Sequence, residues 1–395
     1  MSKLDQERLR RLRQKTRILY AGRNPEEQFG YVNTPIYRGS TVLFPTAADL
    51  RRSDARFTYG THGTPTTEAL ENAWSELAGA AGTVLAPTGL AAIALALTTA
   101  LDAGDHLLVT DSAYRPTRAF CDGYLRRMRI ETTYYDPSVG AGIESLMRPN
   151  TKAVLVEAPG SQSFEMQDVP AIAEAAHARG ACVVMDNTWA TPIFFPPHER
   201  GVDLAVEAGT KYLSGHSDLM LGLVSANAAW LPRLRRTFDL FANCAGPEDC
   251  FLALRGLRTM DLRLRHAEQQ GLTMARWLES RPEVKAVLHP ALPSHPGHAI
   301  WKRDFLGASG LFSIILHPVS EAAVDALLDE LQLFGMGYSW GGYESLVIPF
   351  DCTRYRTATE WNPGGPALRL QIGLEDTDDL KDDLDRGFAA MKRKA

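Results

Sequence analysis

The residues best suited to chemistry sit just beyond short apolar runs. Lys211 lies in Glu207-Ala208-Gly209-Thr210-Lys211-Tyr212-Leu213-Ser214-Gly215-His216-Ser217-Asp218, a Gly/Ser-rich turn after the run Leu204–Val206. A lysine inside such a turn is oddly placed for solubility alone. Asp186 follows a second run, Cys182–Met185, and opens Asp186-Asn187-Thr188-Trp189. It precedes Lys211 by 25 residues, one βα crossover, so both side chains can face one crevice at the carboxyl ends of the strands. An aspartate after a buried strand is often structural or a metal ligand, but no carboxylate or histidine cluster accompanies this one. A third run, Thr83–Ala86, leads through Pro87-Thr88-Gly89-Leu90 into an apolar helix. Taken alone, Thr-Gly before a helix is more often a plain N-cap. Its free N–H groups and the positive end of the helix dipole also suit an anion such as phosphate. One cofactor uses all three features together: pyridoxal 5'-phosphate (PLP) needs a lysine for its aldehyde, a carboxylate for its pyridine nitrogen and a cup for its phosphate. Partial desolvation in a crevice favours the neutral amine that forms a Schiff base.

These turns require a scaffold of buried strands. Helix-like stretches (Glu68–Ala78, Leu90–Leu101, Pro116–Arg127, Val169–Arg179) alternate with short apolar runs: Thr83–Ala86, His106–Thr110, Ile130–Tyr135, Ala153–Val156, Cys182–Met185 and Leu204–Val206. Runs this short and this apolar read as strands buried on both faces. Their alternation with helices predicts a mostly parallel, doubly wound sheet. Beyond Asn243 the rhythm changes to a long helix (Glu248–Ser280), strands at Val284–His289, Leu311–Leu316 and Leu368–Ile372, and helices at Glu321–Leu333 and Asp378–Met391. The expected division is an N-terminal helix and extended arm over 1–60, a cofactor-binding α/β domain over 61–247, and a smaller α+β domain over 248–395. The arm carries Arg8, Arg10, Arg11, Arg13, Lys15 and Arg17, read as a solvated helix face.

Composition narrows the function. The chain has 395 residues, 45% hydrophobic and 23% charged, with a net charge of −5, so it is not a polycation built for nucleic acid. Its five cysteines are scattered and form no CxxC, which predicts free thiols in a reducing compartment, not a disulfide framework. The first residues, MSKLDQERLRRLRQKT, lack the apolar core of a secretory signal. Leu90–Leu101 is too short for a membrane span and reads as a buried helix. A cytoplasmic protein with no membrane partner is expected.

The stretches VVMDNTW and GTKYLSGHSDLMLG, Tyr59-Gly60…Gly63-Thr64-Pro65-Thr66 and Ser339-Trp340-Gly341-Gly342-Tyr343-Glu344-Ser345 resemble the Cys/Met-metabolism family of PLP enzymes, most closely its bacterial cystathionine β-lyase branch. GLRTMDLRLRH, HPGHAIWKRDF, SGLFS and LRLQIGLED extend the resemblance over almost the whole chain. It implies an aspartate-aminotransferase-like α/β fold (PLP fold type I). It also implies a homo-oligomer with shared sites, either a dimer or a tetramer made of such dimers.

Residue by residue, the resemblance implies that Lys211 anchors the cofactor and moves the Cα proton, while Asp186 partners the pyridinium. Tyr114 stacks on the ring. Gly89 and Leu90 offer backbone donors to the phosphate, Thr210 a hydroxyl, and Tyr59 reaches it from the neighbouring subunit. Arg369 would grip the substrate carboxylate bidentately, with Tyr338, Ser339 and Trp340 as the substrate-side wall. By itself, a Tyr-Ser-Trp run is more often core packing. Two positions depart from the family pattern. Thr61 stands where an arginine is usual, and Ala208 where a serine is frequent, so the phosphate cup is either less cationic or compensated by His62 or another group. Ser161, in Glu157-Ala158-Pro159-Gly160-Ser161, replaces the asparagine common in synthases and γ-lyases and matches the β-lyase branch. The implied reaction is β-elimination of a small amino-acid thioether, L-cystathionine, to homocysteine, pyruvate and ammonia. Other C–S enzymes of the family (a γ-lyase, a γ-synthase, a cysteine-S-conjugate β-lyase) are the near alternative. A non-catalytic amino-acid sensor on the same fold is the distant one.

Overall fold

The computed structural model describes residues 8, 9, 11–52 and 54–394. Its strands, in chain order, are β1 (Gly82–Ala86), β2 (His106–Thr110), β3 (Glu131–Tyr135), β4 (Thr151–Glu157), β5 (Cys182–Asp186), β6 (Leu204–Ala208), β7 (Gly222–Ala226), β8 (Val284–Leu288), β9 (Leu311–Leu316), β10 (Gly335–Met336), β11 (Leu346–Phe350) and β12 (Ala367–Gln371). The helices that matter for the site are α1 (Pro65–Ala78), α2 (Gly89–Ala100), α3 (Arg115–Phe120), α4 (Leu231–Phe241) and α5 (Pro247–Glu279).

A seven-stranded sheet has the order β1-β7-β6-β5-β4-β2-β3. Only β7 runs against its neighbours, pairing antiparallel with both β1 and β6. The carboxyl ends of β1 to β6 therefore open on one edge. Successive strand residues go to opposite faces, and both faces are covered. Val183 joins Trp74, Leu108 and Val154 in one core cluster, while its neighbour Val184 joins Ile93, Leu107, Leu155 and Val224 in the other. That double burial explains why these strands read as unbroken apolar runs.

α2 is apolar all round and is buried between the sheet and α4. Its threonines survive there because their hydroxyls are satisfied within the helix: Thr99 Oγ1 donates to the Leu95 carbonyl at 2.8 Å and Thr98 Oγ1 to Ala94 at 2.7 Å. α1 starts at a reciprocal cap, in which the Thr64 and Thr67 side chains each accept from the other's backbone N–H. It ends at Gly79, whose φ of 67° a residue with a side chain would resist.

The second sheet, β10-β11-β12-β9-β8, is antiparallel apart from the β10–β11 pair. α5 joins the two sheets: its first half packs in the core of the large sheet, through Cys250, Leu257, Met260 and Leu264. Its far end, Met274, Ala275 and Leu278, packs in the core of the small one. The sequence pattern leaves out β7, β10, β11 and α4. β7 follows β6 with no helix between them, outside the strand–helix alternation, β11 carries Pro349, and α4 (LPRLRRTFDLF) buries only Leu234 and Phe238, too sparse a stripe to count from spacing. The helix expected at Pro116–Arg127 is α3 followed by a π-turn at Cys121–Leu125. The arm is not wholly irregular, since it carries short helices at Gln14–Tyr20 and Ala47–Arg52. Of its basic residues, Arg17 pairs with Glu76 at 3.1 Å and Lys15 approaches Asp261 at 3.7 Å, so the cluster is partly tied to the body; Arg10 lies outside the described residues.

Candidate active site

Three carboxyl groups and one amine gather where β4, β5 and β6 end. Glu157 and Asp186 are the last residues of adjacent parallel strands and sit in register. Glu207 is the penultimate residue of β6 and is buried. Burial first, and then the charge of Asp186, pushes the Glu157 carboxyl well above its usual range. Burial raises Glu207 to about 8, against the hydrogen bonds it accepts from Trp74 Nε1 (3.2 Å) and Asn187 Nδ2 (3.4 Å). Asp186 is also raised by burial, and opposed by Thr188, whose N–H and hydroxyl donate to Asp186 Oδ1 at 3.0 and 2.6 Å. The same Thr188 hydroxyl accepts from Ala208 N at 2.9 Å, tying Asp186 to the end of β6.

Lys211 lies in the turn beyond β6. Its Nζ donates to Ser339 Oγ at 2.7 Å and stands 5.2 Å from the centre of the Trp340 ring. Burial, helped by the nearby Arg369 charge and opposed by Asp186, lowers its pKa to about 8. The turn is gripped from behind by α5: Arg263 donates to the carbonyls of Tyr212 (2.7 Å) and Leu213 (3.2 Å), and a Cβ on Gly256 would meet the Leu213 oxygen at 2.2 Å. Only glycine allows that approach.

Arg369 comes from the middle of β12 and is 9% exposed. Burial brings its pKa down to about 10. Its Nη2 donates to the Ser339 carbonyl at 2.9 Å, so one residue holds both the amine and the guanidinium. Ser339 does so at φ 86°, a backbone strain that functional sites tend to retain. Trp340 packs edge-on against Tyr212 at 5.5 Å. Tyr338, in contrast, is 88% exposed.

Tyr114 caps α3 with its ring half exposed and its backbone N–H donated to Glu157 Oε2 at 2.7 Å. Its hydroxyl is raised by burial and then by Asp186, which places the two within electrostatic reach. Gly89 opens α2 directly over the Lys211 turn: a Cβ there would come within 2.7 Å of Ala208 Cβ. Thr88 caps Ala91 N at 3.0 Å, and the N–H groups of Gly89 and Leu90 head the helix. The Thr210 hydroxyl is engaged with Leu221, accepting from its N–H at 3.0 Å and donating to its carbonyl at 3.3 Å.

The structure thus brings Lys211, Asp186, Tyr114, Arg369, Ser339 and Trp340 together, with Gly89 and Leu90 at the same sheet edge. It does not bring Tyr59 there. Tyr59 is half exposed and lines a separate cavity of about 420 Å³ with Arg38, Thr61, His62 and Cys244. His62 Nδ1 is bonded to Thr58 Oγ1 at 2.9 Å. Sequence reasoning missed Glu157, Glu207, Thr188 and Arg263. Glu157 was findable, since it is a carboxylate closing an apolar run just as Asp186 is.

The donor set fits PLP. A carboxylate held beside two further acids, and raised by burial, calls for a cationic N–H partner, which a protonated ring nitrogen supplies. The amine lowered to about 8 suits attack on an aldehyde. The sequence profile of the Cys/Met metabolism PLP-dependent enzymes matches residues 15–389. The chain belongs to that family.

Among its relatives is a protein of Rhizobium johnstonii named putative cystathionine beta-lyase, 52% identical over 95% of this chain and 96% of its own. Another is the cystathionine beta-lyase of Salmonella typhimurium, 42% identical over 95% of this chain and 98% of its own. A solved structure of cystathionine gamma synthase from Xanthomonas oryzae pv. oryzae, in complex with aminoacrylate and cysteine, superposes with a TM-score of 0.89 at 31% identity. It covers 97% of this chain and 100% of that one. The chain is a PLP-dependent enzyme of fold type I, acting on carbon–sulfur bonds. No helix among the described residues is long and apolar enough to cross a membrane.

Proposed function

We propose that this chain cleaves the Cβ–S bond of L-cystathionine, which with one water gives homocysteine, pyruvate and ammonia. The observation that carries the reading is the Lys211–Ser339–Arg369 chain. It sets a proton-moving amine beside a guanidinium able to grip an α-carboxylate in two parallel hydrogen bonds. The β-lyase names of relatives 42% and 52% identical support the choice of bond, as does the Gly160-Ser161 pair.

PLP, when bound, supplies an electron-accepting ring that makes the Cα proton removable. Asp186 would hold the proton on the ring nitrogen, and Thr188 keeps the carboxylate aimed. Tyr114 would stack on the ring, while Gly89 and Leu90, and Thr210 once its hydroxyl turns from Leu221, would take the phosphate. Lys211 would hold the aldehyde, and its Nζ would take the Cα proton of the bound substrate. Ser339 keeps that nitrogen near its target. Arg369 holds the α-carboxylate, and Tyr338 and Trp340 border the substrate. General acid–base work of this kind contributes about 10²- to 10⁴-fold.

Tyr59, which in its own chain lines a cavity without Lys211, reaches the phosphate of a second copy, so the functional unit is a two-fold dimer that pairs further into a tetramer. The arm over 1–60 then serves the neighbour, 61–247 holds the cofactor and 248–395 carries Arg369. Five free cysteines support a reducing, cytoplasmic setting. Product analysis on cystathionine tests the reading. Pyruvate with homocysteine is expected; 2-oxobutyrate with cysteine would make the chain a γ-lyase. No keto acid from cystathionine but pyruvate from other cysteine conjugates would move the substrate.

A further inference from the structure

Residues 351–366 link β11 to β12 and deliver the chain to Ala367, two residues before Arg369. This strap is pinned to the large sheet by one buried carboxylate. Asp111, fully buried, accepts from Thr357 N (3.0 Å) on Oδ1, and from Ala358 N (3.1 Å), Thr359 N (2.8 Å) and Thr359 Oγ1 (2.7 Å) on Oδ2. Arg118 Nη1 pairs with the same Oδ1 at 2.9 Å and its Nη2 donates to the Tyr355 carbonyl and, at 3.2 Å, to Thr357 Oγ1. The strap is held a second time beside Ser161: Arg356 pairs with Glu165 at 2.7 Å, and Tyr355 OH donates to Gln162 Oε1 at 2.9 Å.

The two ends of this lock matter. Asp111 stands three residues before Tyr114, and Arg118 N bonds the Tyr114 carbonyl at 3.2 Å, so the lock grips the Tyr114 turn on both sides. The strap runs into the strand of Arg369, which belongs to the other sheet. A substrate must touch both parts at once, its carboxylate on Arg369 and its Cα under the group that Tyr114 covers. We propose that Asp111 is a positioning residue for substrate binding: it locks the strap to the Tyr114 turn and so sets where Arg369 meets an α-carboxylate. The proposal rests on the reading of Arg369 given above. A backbone-amide lock of this sort fixes position without touching the substrate, so its loss falls on binding more than on the chemical step.

The test uses the cofactor-loaded enzyme with Asp111→Asn, whose amide can accept on one oxygen only, and Thr359→Val, which removes one hydroxyl and leaves the Asp111–Arg118 pair intact should the first variant not fold. For Asp111→Asn we expect about a tenfold rise in KM for a thioether amino acid, with kcat within about twofold, and for Thr359→Val a rise of about threefold. The dissociation constant of glycine, which has the carboxylate and no leaving group, should rise by the same factors when read from cofactor absorbance. Hydrogen exchange should quicken at the amides of Thr357, Ala358 and Thr359. Faster exchange there with unchanged KM and unchanged glycine affinity would overturn the proposal, as would a fall in kcat at constant KM. If the unmodified enzyme binds glycine yet cleaves no thioether, the function reading fails, and the glycine titration still decides for or against Asp111.

Discussion

Replacing Lys211 by methionine should abolish turnover and yet stabilise the cofactor-free protein at neutral pH. The lysine pKa is held at about 8 in the fold, against 10.5 for an ordinary lysine. The folded value is the lower one, so between pH 8 and 10.5 the unfolded chain binds more protons, and stability rises with pH through that window. Below pH 8 the penalty is present in full, about 3 kcal/mol at 1.36 kcal/mol per tenfold. Methionine fills a similar volume without a charge and so removes the penalty. It also removes the Nζ–Ser339 hydrogen bond, worth about 1 kcal/mol.

The net gain is therefore about 2 kcal/mol at pH 7, about 1 at pH 9 and about zero near pH 10. With about 2.1 cal/mol/K of unfolding entropy per residue, 2 kcal/mol is a rise of about 2 °C in Tm. The assay is a pair of thermal melts, both proteins stripped of cofactor and at equal concentration, at pH 7, 9 and 10. A variant that melts no higher than the parent at pH 7 would refute the reasoning. So would an advantage that persists undiminished to pH 10, because then the gain is packing and not relief of a buried charge.

Asp186→Asn should retain most of the cofactor but slow turnover by about 10²- to 10⁴-fold, since an amide cannot hold the ring-nitrogen proton. Asp186 also raises the Lys211 amine, so the acid limb of the pH–rate profile should move to lower pH; an unchanged rate and limb would reduce Asp186 to a strand-end cap. Tyr59→Phe and Lys211→Ala chains, each feeble alone, should regain activity when co-expressed. Random pairing makes half the dimers mixed, with one intact site in each, so about a quarter of all sites should work. Mixed dimers no more active than the two mutant homodimers would mean that each site is built within one chain.

What could be read from the sequence was what lies on consecutive elements. β1, β4, β5 and β6 are apolar runs because both sides of the sheet are covered, and the turn after each run must open on the same edge. Lys211 and Asp186 therefore announce themselves by position. Arg369 and Tyr114 did not: a lone arginine in LRLQIGLED and a tyrosine before Arg115-Pro116 look like any others until the two sheets are placed together, and both came from resemblance. The Asp111 lock was invisible because its strap donors lie 246 to 248 residues away and three of them are backbone amides, which carry no sequence signature. β7 and α4 failed for a different reason. β7 follows β6 with no helix between them and so falls outside the strand–helix alternation, and a helix with two buried residues has too sparse a stripe for periodicity to speak.

The concentration of ill-suited ionisation at one sheet edge explains why the cofactor and this fold belong together. Glu157, Asp186 and Glu207 are carried by neighbouring strands whose register admits no retreat, and burial raises all three. Lys211 is lowered in the same small volume. Left to themselves, these groups are a net cost to folding, of the kind that functional sites carry and cores elsewhere avoid. A bound ring whose nitrogen carries a proton would give Asp186 a partner, and an aldehyde would take up the amine in its neutral state. Cofactor binding would therefore relieve both strains at once, since a ligand that binds only the folded chain stabilises it by mass action. The long helix α5 makes the arrangement possible: with Gly256 and Arg263 it fixes the backbone of the Lys211 turn, so that the amine can move without the backbone following.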